Sequence, residues 1–239
     1  MSDPRFALIA EGDTDYVVIH AALRAILGRP FLLDQLQPEP SKPKLGNGWG
    51  GVFKWGQEFR QRRARTIDED PTLSGYAGVI IHLDADVAEK SYEDCGAIVA
   101  KAVVDAGDIL PLPCSRPCPP CGDTVEALRE VLLSWLGIQE SGAKGVFCMP
   151  SKSTEAWLAA AILPVDHSAL KALECNLTIE TTLGILPKTL RIRKNVRTYR
   201  AFADTVTAQW ERVTQSCEQA ASFDQRIRDI DAEFLLNKV

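Results

Sequence analysis

Apolar positions along this chain fall into two alternating patterns: short unbroken runs, and longer stretches at helical spacing. The first run, FALIAE at 6–11, ends abruptly in acid with Gly12 behind it. It reads as a strand covered on both faces, with Glu11 at its carboxyl end. The next stretch, DYVVIHAALRAIL at 15–27, sets Val18, Ala21, Ala22, Ala25 and Ile26 at helical spacing. Asp13 or Thr14 caps this helix and GRP at 28–30 stops it. Further strands are predicted at 31–37, 76–86, 108–112 and 145–150, and further helices at 52–66, 91–106, 124–137 and 153–163. The run YAGVIIHLDAD at 76–86 is the clearest strand. Pro and Gly mark 38–51 as a loop, and PCSRPCPPCGD at 113–123 is incompatible with regular structure.

Beyond residue 163 the alternation stops. No period fits 164–197, whereas 198–218 and 220–236 read as helices, the second with Phe223, Ile227, Ile230 and Phe234 on one face. Strands alternating with helices predict an α/β fold, a mainly parallel, Rossmann-like sheet flanked by helices. The expected organisation is a sheet domain over 1–163, with an insert at 113–123, and a helical segment over 164–239 packed on it.

Composition changes this picture little. The chain has 239 residues, 46% hydrophobic and 25% charged, as in ordinary globular proteins. Its longest apolar stretch, AWLAAAIL at 156–163, is far short of the ~20 residues a bilayer span needs. The N-terminal sequence does not resemble a signal peptide, so a cytoplasmic protein with its seven cysteines mostly reduced is expected. A net charge of −5 argues against a nucleic-acid coat protein but leaves a nucleic-acid enzyme open.

The candidate chemistry is acidic. In an open α/β sheet, ligands bind beyond the carboxyl ends of the strands. Glu11 ends the first strand, Asp84 and Asp86 end 76–86, and Glu155 opens the helix after 145–150. In an extended segment i and i+2 point the same way, so Asp84 and Asp86 can share one target. Two unit charges 4 Å apart cost about 4 kcal/mol at an effective dielectric near 20, so such a cluster persists only when protons or cations neutralise it. Oxygen ligands suit Mg²⁺ or Mn²⁺.

Each carboxylate alone has a plainer reading. The Asp pair fits a strand end meeting solvent, and Asp13 and Asp15 fit a helix start. Glu155 fits a capping box with Ser151, Ser153 or Thr154 as cap. Together, EGDTD and HLDAD resemble the Toprim domain of topoisomerases, primases and nucleases of the OLD (overcoming lysogenisation defect) type. That family places Glu-Gly after its first strand and Asp-x-Asp after its third, here Glu11-Gly12 and Asp84-Ala85-Asp86; SKSTEAWLAAA resembles its later Glu-bearing helix, with Glu155 in place.

The resemblance implies Mg²⁺- or Mn²⁺-dependent hydrolysis of phosphodiesters, with a two-ion site. In it Glu11 is ligand or general base, Asp84 and Asp86 are ligands, Glu155 holds the second ion, and Lys188 or Lys194 offsets phosphoryl charge. DNA is the implied partner, in host defence or DNA processing. No G-x-x-x-x-G-K-[ST] motif is present, so the resemblance is to a small stand-alone branch, and any ATPase would be a separate partner. Two rival functions stand: a phosphatase with Asp84 as nucleophile and Asp86 as acid/base, and a non-catalytic module that binds a metal or a partner protein.

Two basic stretches offer seats for a nucleic-acid backbone. RQRRAR at 60–65 contains Arg60, Arg62 and Arg63, and KTLRIRKNVRTYR at 188–200 contains Arg191, Arg193 and Arg197; a solvated helix face is the plainer reading of each. Trp49 in GNGWGG fits packing better than base stacking, and His82, two before Asp84, is a candidate to support the site from behind. Cys114, Cys118 and Cys121 would make three ligands of a structural Zn²⁺, but no fourth is evident and the site is not favoured.

Overall fold

The computed structural model describes residues 3–39 and 46–236. Four strands form one parallel sheet: β1 (Arg5–Ile9), β2 (Leu32–Gln37), β3 (Gly78–His82) and β4 (Gly145–Cys148), in the order β2-β1-β3-β4. The helices are α1 (Asp13–Leu27), α2 (Trp49–Gln61), α3 (Ala97–Ala106), α4 (Gly122–Leu136), α5 (Glu155–Ile162), α6 (Ile179–Ile185), α7 (Val196–Ala208), α8 (Trp210–Ser216) and α9 (Glu218–Leu236). The molecule is thus an α/β protein with a Rossmann-like parallel sheet flanked by helices.

The two-residue alternation of the strands sorts side chains between two cores. Phe6, Leu8, Ile80, Val146 and Cys148 join a core with α1, α5 and the C-terminal helices, anchored by Trp157, Trp210 and Phe223. Ala7, Ile9, Val79, Ile81 and Leu83 join the opposite core with α2 and α4, anchored by Phe53 and Trp135. The segment after residue 163 is therefore the helical layer of one sheet face, sharing the first core.

Several boundaries differ from the periodicity. The run 108–112 is not a strand; Pro111 and Pro113 remove the donors a ladder needs, and Leu110 N–H bonds Ser134 Oγ instead. Strand β3 stops at His82, and Ala85–Glu89 turns into a 3₁₀ helix, so Asp84 and Asp86 are not i and i+2 of one extended segment. Residues 91–106 divide at Gly96, whose φ of 87° lies in the left-handed region, and 198–218 divides at Gln209. Within 164–197 the chain forms α6 and two 3₁₀ turns.

The predicted loop 38–51 includes residues 40–45, which lie outside the described residues, but its last part is helix: α2 begins at Trp49. Two glycines make this possible. Gly48 takes a φ of 73°, and a Cβ on Gly51 would fall 2.2 Å from Gln37 Nε2 and 2.7 Å from Gly46 O. Trp49 is buried and stacks on Trp135, with ring centroids 6.1 Å apart.

Candidate metal centre

The carboxyl ends of β1, β3 and β4 lie side by side in the sheet, and each delivers an acid. Glu11 follows β1 and its Oε1 accepts the Asp84 N–H at 2.8 Å. Asp84, just past β3, is 7% exposed, and its Oδ1 accepts the Thr154 N–H at 3.1 Å. His82 is fully buried with Nε2 3.2 Å from Asp84 Oδ1, yet neither ring nitrogen has an aligned hydrogen-bond partner among the described residues. One ligand atom each of Glu11, His82 and Asp84 lies within 4.8 Å of the others.

Glu155, at the start of α5, is 1% exposed. Its Oε1 accepts the Tyr199 hydroxyl and lies 3.3 Å from Lys194 Nζ, which also reaches Glu180 Oε2 at 3.2 Å. Its Oε2 is buried with no hydrogen-bond partner among the described residues. The capping-box reading of Glu155 does not hold: Thr154 occupies the cap position, but its hydroxyl donates to Asp15 Oδ1 at 2.8 Å and caps nothing. Asp86 sits at the outer rim, half-exposed, with Lys90 Nζ 3.7 Å from its Oδ2. Lys152, held at a φ of 73°, accepts the Asp86 N–H on its carbonyl and pairs with Glu89 through Nζ at 2.7 Å. Such a φ at a non-glycine residue marks a constrained turn.

Electrostatics follow from this crowding. Burial, and then the charge of Asp84, pushes the Glu11 carboxyl well above the usual range. Burial lifts Asp84 to about 7 against the opposing pull of His82. Burial also raises Asp86. For His82, burial alone would lower the imidazole, but Asp15, Asp84 and Glu11 outweigh it and hold it at about 9. Glu155 differs: burial works to raise it, but Lys194, Tyr199 and Ser153 prevail and keep it below its ordinary value. The rim therefore combines carboxyls that resist ionisation with one carboxylate fixed as an anion.

The orphaned Glu155 Oε2, beside an oxygen-rich donor set, fits a hard divalent cation such as Mg²⁺ or Mn²⁺. Of the predicted ligands, Glu11 and Asp84 lie close enough to share an ion, while Asp86 and Glu155 fall outside that group among the described residues. Asp15 belongs to the same cluster, because its charge acts on Glu11, His82 and Asp84. Asp15 does lie in the first turn of α1, as the helix-start reading has it, but it is also buried and accepts the Thr154 hydroxyl. Its spacing held a signal: Val18, Ile19 and Ala22 at i+3, i+4 and i+7 place it on the buried face of α1. Tyr199 and Glu180 had none, since only tertiary packing brings them near Glu155.

The predicted cations divide. Lys194 reaches the site, whereas Lys188 is exposed and makes no ion pair there. Arg193 and Arg197 are exposed on the segment that carries Lys194, and Arg191 Nε donates to Leu186 O at 3.0 Å. The other basic run is misplaced for the rim. Helix α2 starts beside Glu11, where the Gly48 N–H bonds the Glu11 carbonyl at 2.7 Å, and carries Arg60 about 17 Å to the amino end of the sheet. There Arg60 pairs with Asp108 and Arg62 with Asp70 at 2.6 Å, and Arg63 is exposed.

The three cysteines of the 113–123 loop do not meet as one set. Cys118 is bonded to Cys175, so not every cysteine is reduced, and Cys114 is not grouped with Cys121 among the described residues. No helix of the described residues is long and apolar enough to cross a membrane. Comparison with family models, curated proteins and solved structures finds no match for this chain.

Proposed function

We propose that this chain is a Mg²⁺- or Mn²⁺-dependent nuclease of the Toprim/OLD type that hydrolyses phosphodiester bonds of DNA. The observation that carries the reading is the hydrogen bond from Asp84 N–H to Glu11 Oε1, which joins the acids of two βα junctions at one rim. A strand end meeting solvent would leave both carboxylates exposed; here Asp84 is buried beside His82 and Thr154. Glu11 and Asp84 are the residues that would hold the ion. A bound ion supplies Lewis-acid polarisation of a phosphoryl oxygen and a water of lowered pKa.

The chain's own residues supply the rest. Glu11 has one oxygen committed to the Asp84 amide and the other free to take a proton from an attacking water. Lys194 sets a positive charge beside Glu155, where it stabilises an oxyanion on phosphorus. Arg193 and Arg197 extend that charge outward to neighbouring phosphates. A phosphatase centred on Asp84 and Asp86 gives Glu11 no task.

The test is incubation with supercoiled plasmid and single-stranded DNA in Mg²⁺ or Mn²⁺, with Asp84→Ala as control. Cation-dependent cleavage that the variant lacks is expected. Turnover of a small chromogenic phosphate monoester without DNA cleavage would replace the reading with the phosphatase. Neither activity would leave a binding module.

A further inference from the structure

A second cluster lies away from the acidic rim and takes no part in the proposed hydrolysis. The loop before α4 carries Cys118-Pro-Pro-Cys121, a C-x-x-C spacing. Cys118 is bonded to Cys175, which ends a 3₁₀ turn, with 5.6 Å between their Cα atoms. Cys121 Sγ lies 3.5 Å from Glu174 Oε2 and 3.7 Å from Glu218 Oε2. Cys217 is fully buried between α8 and α9, immediately before Glu218, whose N–H donates to Glu174 Oε2 at 2.9 Å. Three distant segments thus bring four cysteines to one corner of the fold, around Glu174 and Glu218.

A disulfide accounts for two of these sulfurs and leaves the others unexplained. The charge is also unbalanced. Glu174 accepts from Ser151 Oγ and from the Glu218 and Gln219 N–H groups, but neither Glu174 nor Glu218 pairs with a Lys, Arg or His among the described residues. A site rich in sulfur and anions without a cation is the donor chemistry of a thiolate-bound metal.

We propose that Cys118, Cys121, Cys175 and Cys217 form a tetrathiolate site for a structural Zn²⁺ in the reduced chain, of which the Cys118–Cys175 disulfide is the oxidised, metal-free form. A dithiol reductant gives two electrons and two protons to the S–S bond, returning two thiols and leaving as its own disulfide. Zinc then takes the four sulfurs as four S–H protons depart. Ser151 lies just past the edge strand β4, so the metal staples the α4 loop of one helical layer to α8 and α9 of the other around that edge.

The test uses the full chain, purified without chelator, reduced, freed of reductant under anaerobic conditions and titrated with Zn²⁺ or Co²⁺. One metal per chain is expected, with the intense visible bands of tetrahedral Co²⁺ and thiolate-to-cobalt charge transfer. Cys121→Ser and Cys217→Ser should each weaken Zn²⁺ binding roughly hundredfold. Cys114→Ser should leave it unchanged. The double variant Glu11→Gln/Asp84→Asn should retain the zinc, which separates this site from the hydrolytic one. Absence of metal from the reduced wild type, a cobalt spectrum without charge transfer, or wild-type affinity in Cys217→Ser would overturn the proposal. The wild-type cobalt spectrum reads ligand type without any variant, so misfolding of a serine variant does not spare it.

Discussion

The two ends of the sheet treat charge in opposite ways. At the amino end, acids have direct partners: Arg62 pairs with Asp70, Arg60 with Asp108, and the Asp68 carboxylate accepts the Lys144 backbone N–H at 2.9 Å. At the carboxyl end, Glu11, Asp15, Asp84 and Glu155 crowd around the buried His82, and one oxygen of Glu155 has no hydrogen-bond partner among the described residues. Matched charges hold loops in place. Unmatched buried charges cost stability and persist where something outside the chain completes them.

Breaking each end should therefore give opposite results. The largest effect is expected at the rim: under the proposed hydrolysis, Asp84→Asn or Glu11→Gln should lower plasmid cleavage by about a thousandfold or more, since each removes a proposed ligand or base. The metal-free melting temperature of Asp84→Asn should stay level or rise, because a buried charge is gone. A marked fall in its melting temperature would make Asp84 structural. Next, Lys194→Ala should slow cleavage about 10²-fold while Mn²⁺ binding, followed by calorimetry, is retained. Unchanged cleavage would remove Lys194 from the mechanism.

At the other end, Arg62→Ala should cost about 2–3 kcal/mol in denaturant unfolding, because Asp70 is wholly buried and keeps only its bonds from Thr72. Its cleavage rate should be unaffected; a fall would tie the amino end to function.

Proton linkage sharpens the contrast. Asp84, with a folded value near 7 against an ordinary 3.8, favours its protonated form in the fold. Its unfavourable ionisation therefore costs stability as pH rises from about 4 to about 7. His82, raised to about 9, contributes stability that is complete below about 6.5 and lost as pH rises through 9. Metal-free melting temperature should decline by several degrees between about pH 5 and pH 9. Mn²⁺ should restore it most at the alkaline end, as scanning fluorimetry would show. A flat profile would mean that the rim acids are solvated. The smallest effect concerns Arg193 and Arg197: replacing either by Ala should reduce the salt slope of DNA binding by about one, measured by anisotropy. The same change at Arg63 should leave that slope alone.

Much of this was legible in the chain. Unbroken apolar runs fixed three strands of a parallel sheet, because a strand covered on both faces has no polar side to show. A fourth, β2, was found from its bounds, and Glu11, Asp84 and Glu155 were placed by the rule that ligands meet the carboxyl ends of such strands. The false strand at 108–112 shows the limit of apolar content, since its prolines outweighed it.

What tertiary structure alone decided was partnership. Local sequence carries the period of an element and the residue at its end, but not which distant element covers it. Only the packing of α7 against α1 and α5 selects Lys194 over Lys188 and brings Tyr199 to Glu155. Only the length and direction of α2 remove Arg60 and Arg62 from the rim, and only tertiary packing brings Cys118 to Cys175 and Cys121 to Glu174 and Glu218. Charge and thiol chemistry act over a few ångströms in space, and that distance is set by how the helical layers close on the sheet.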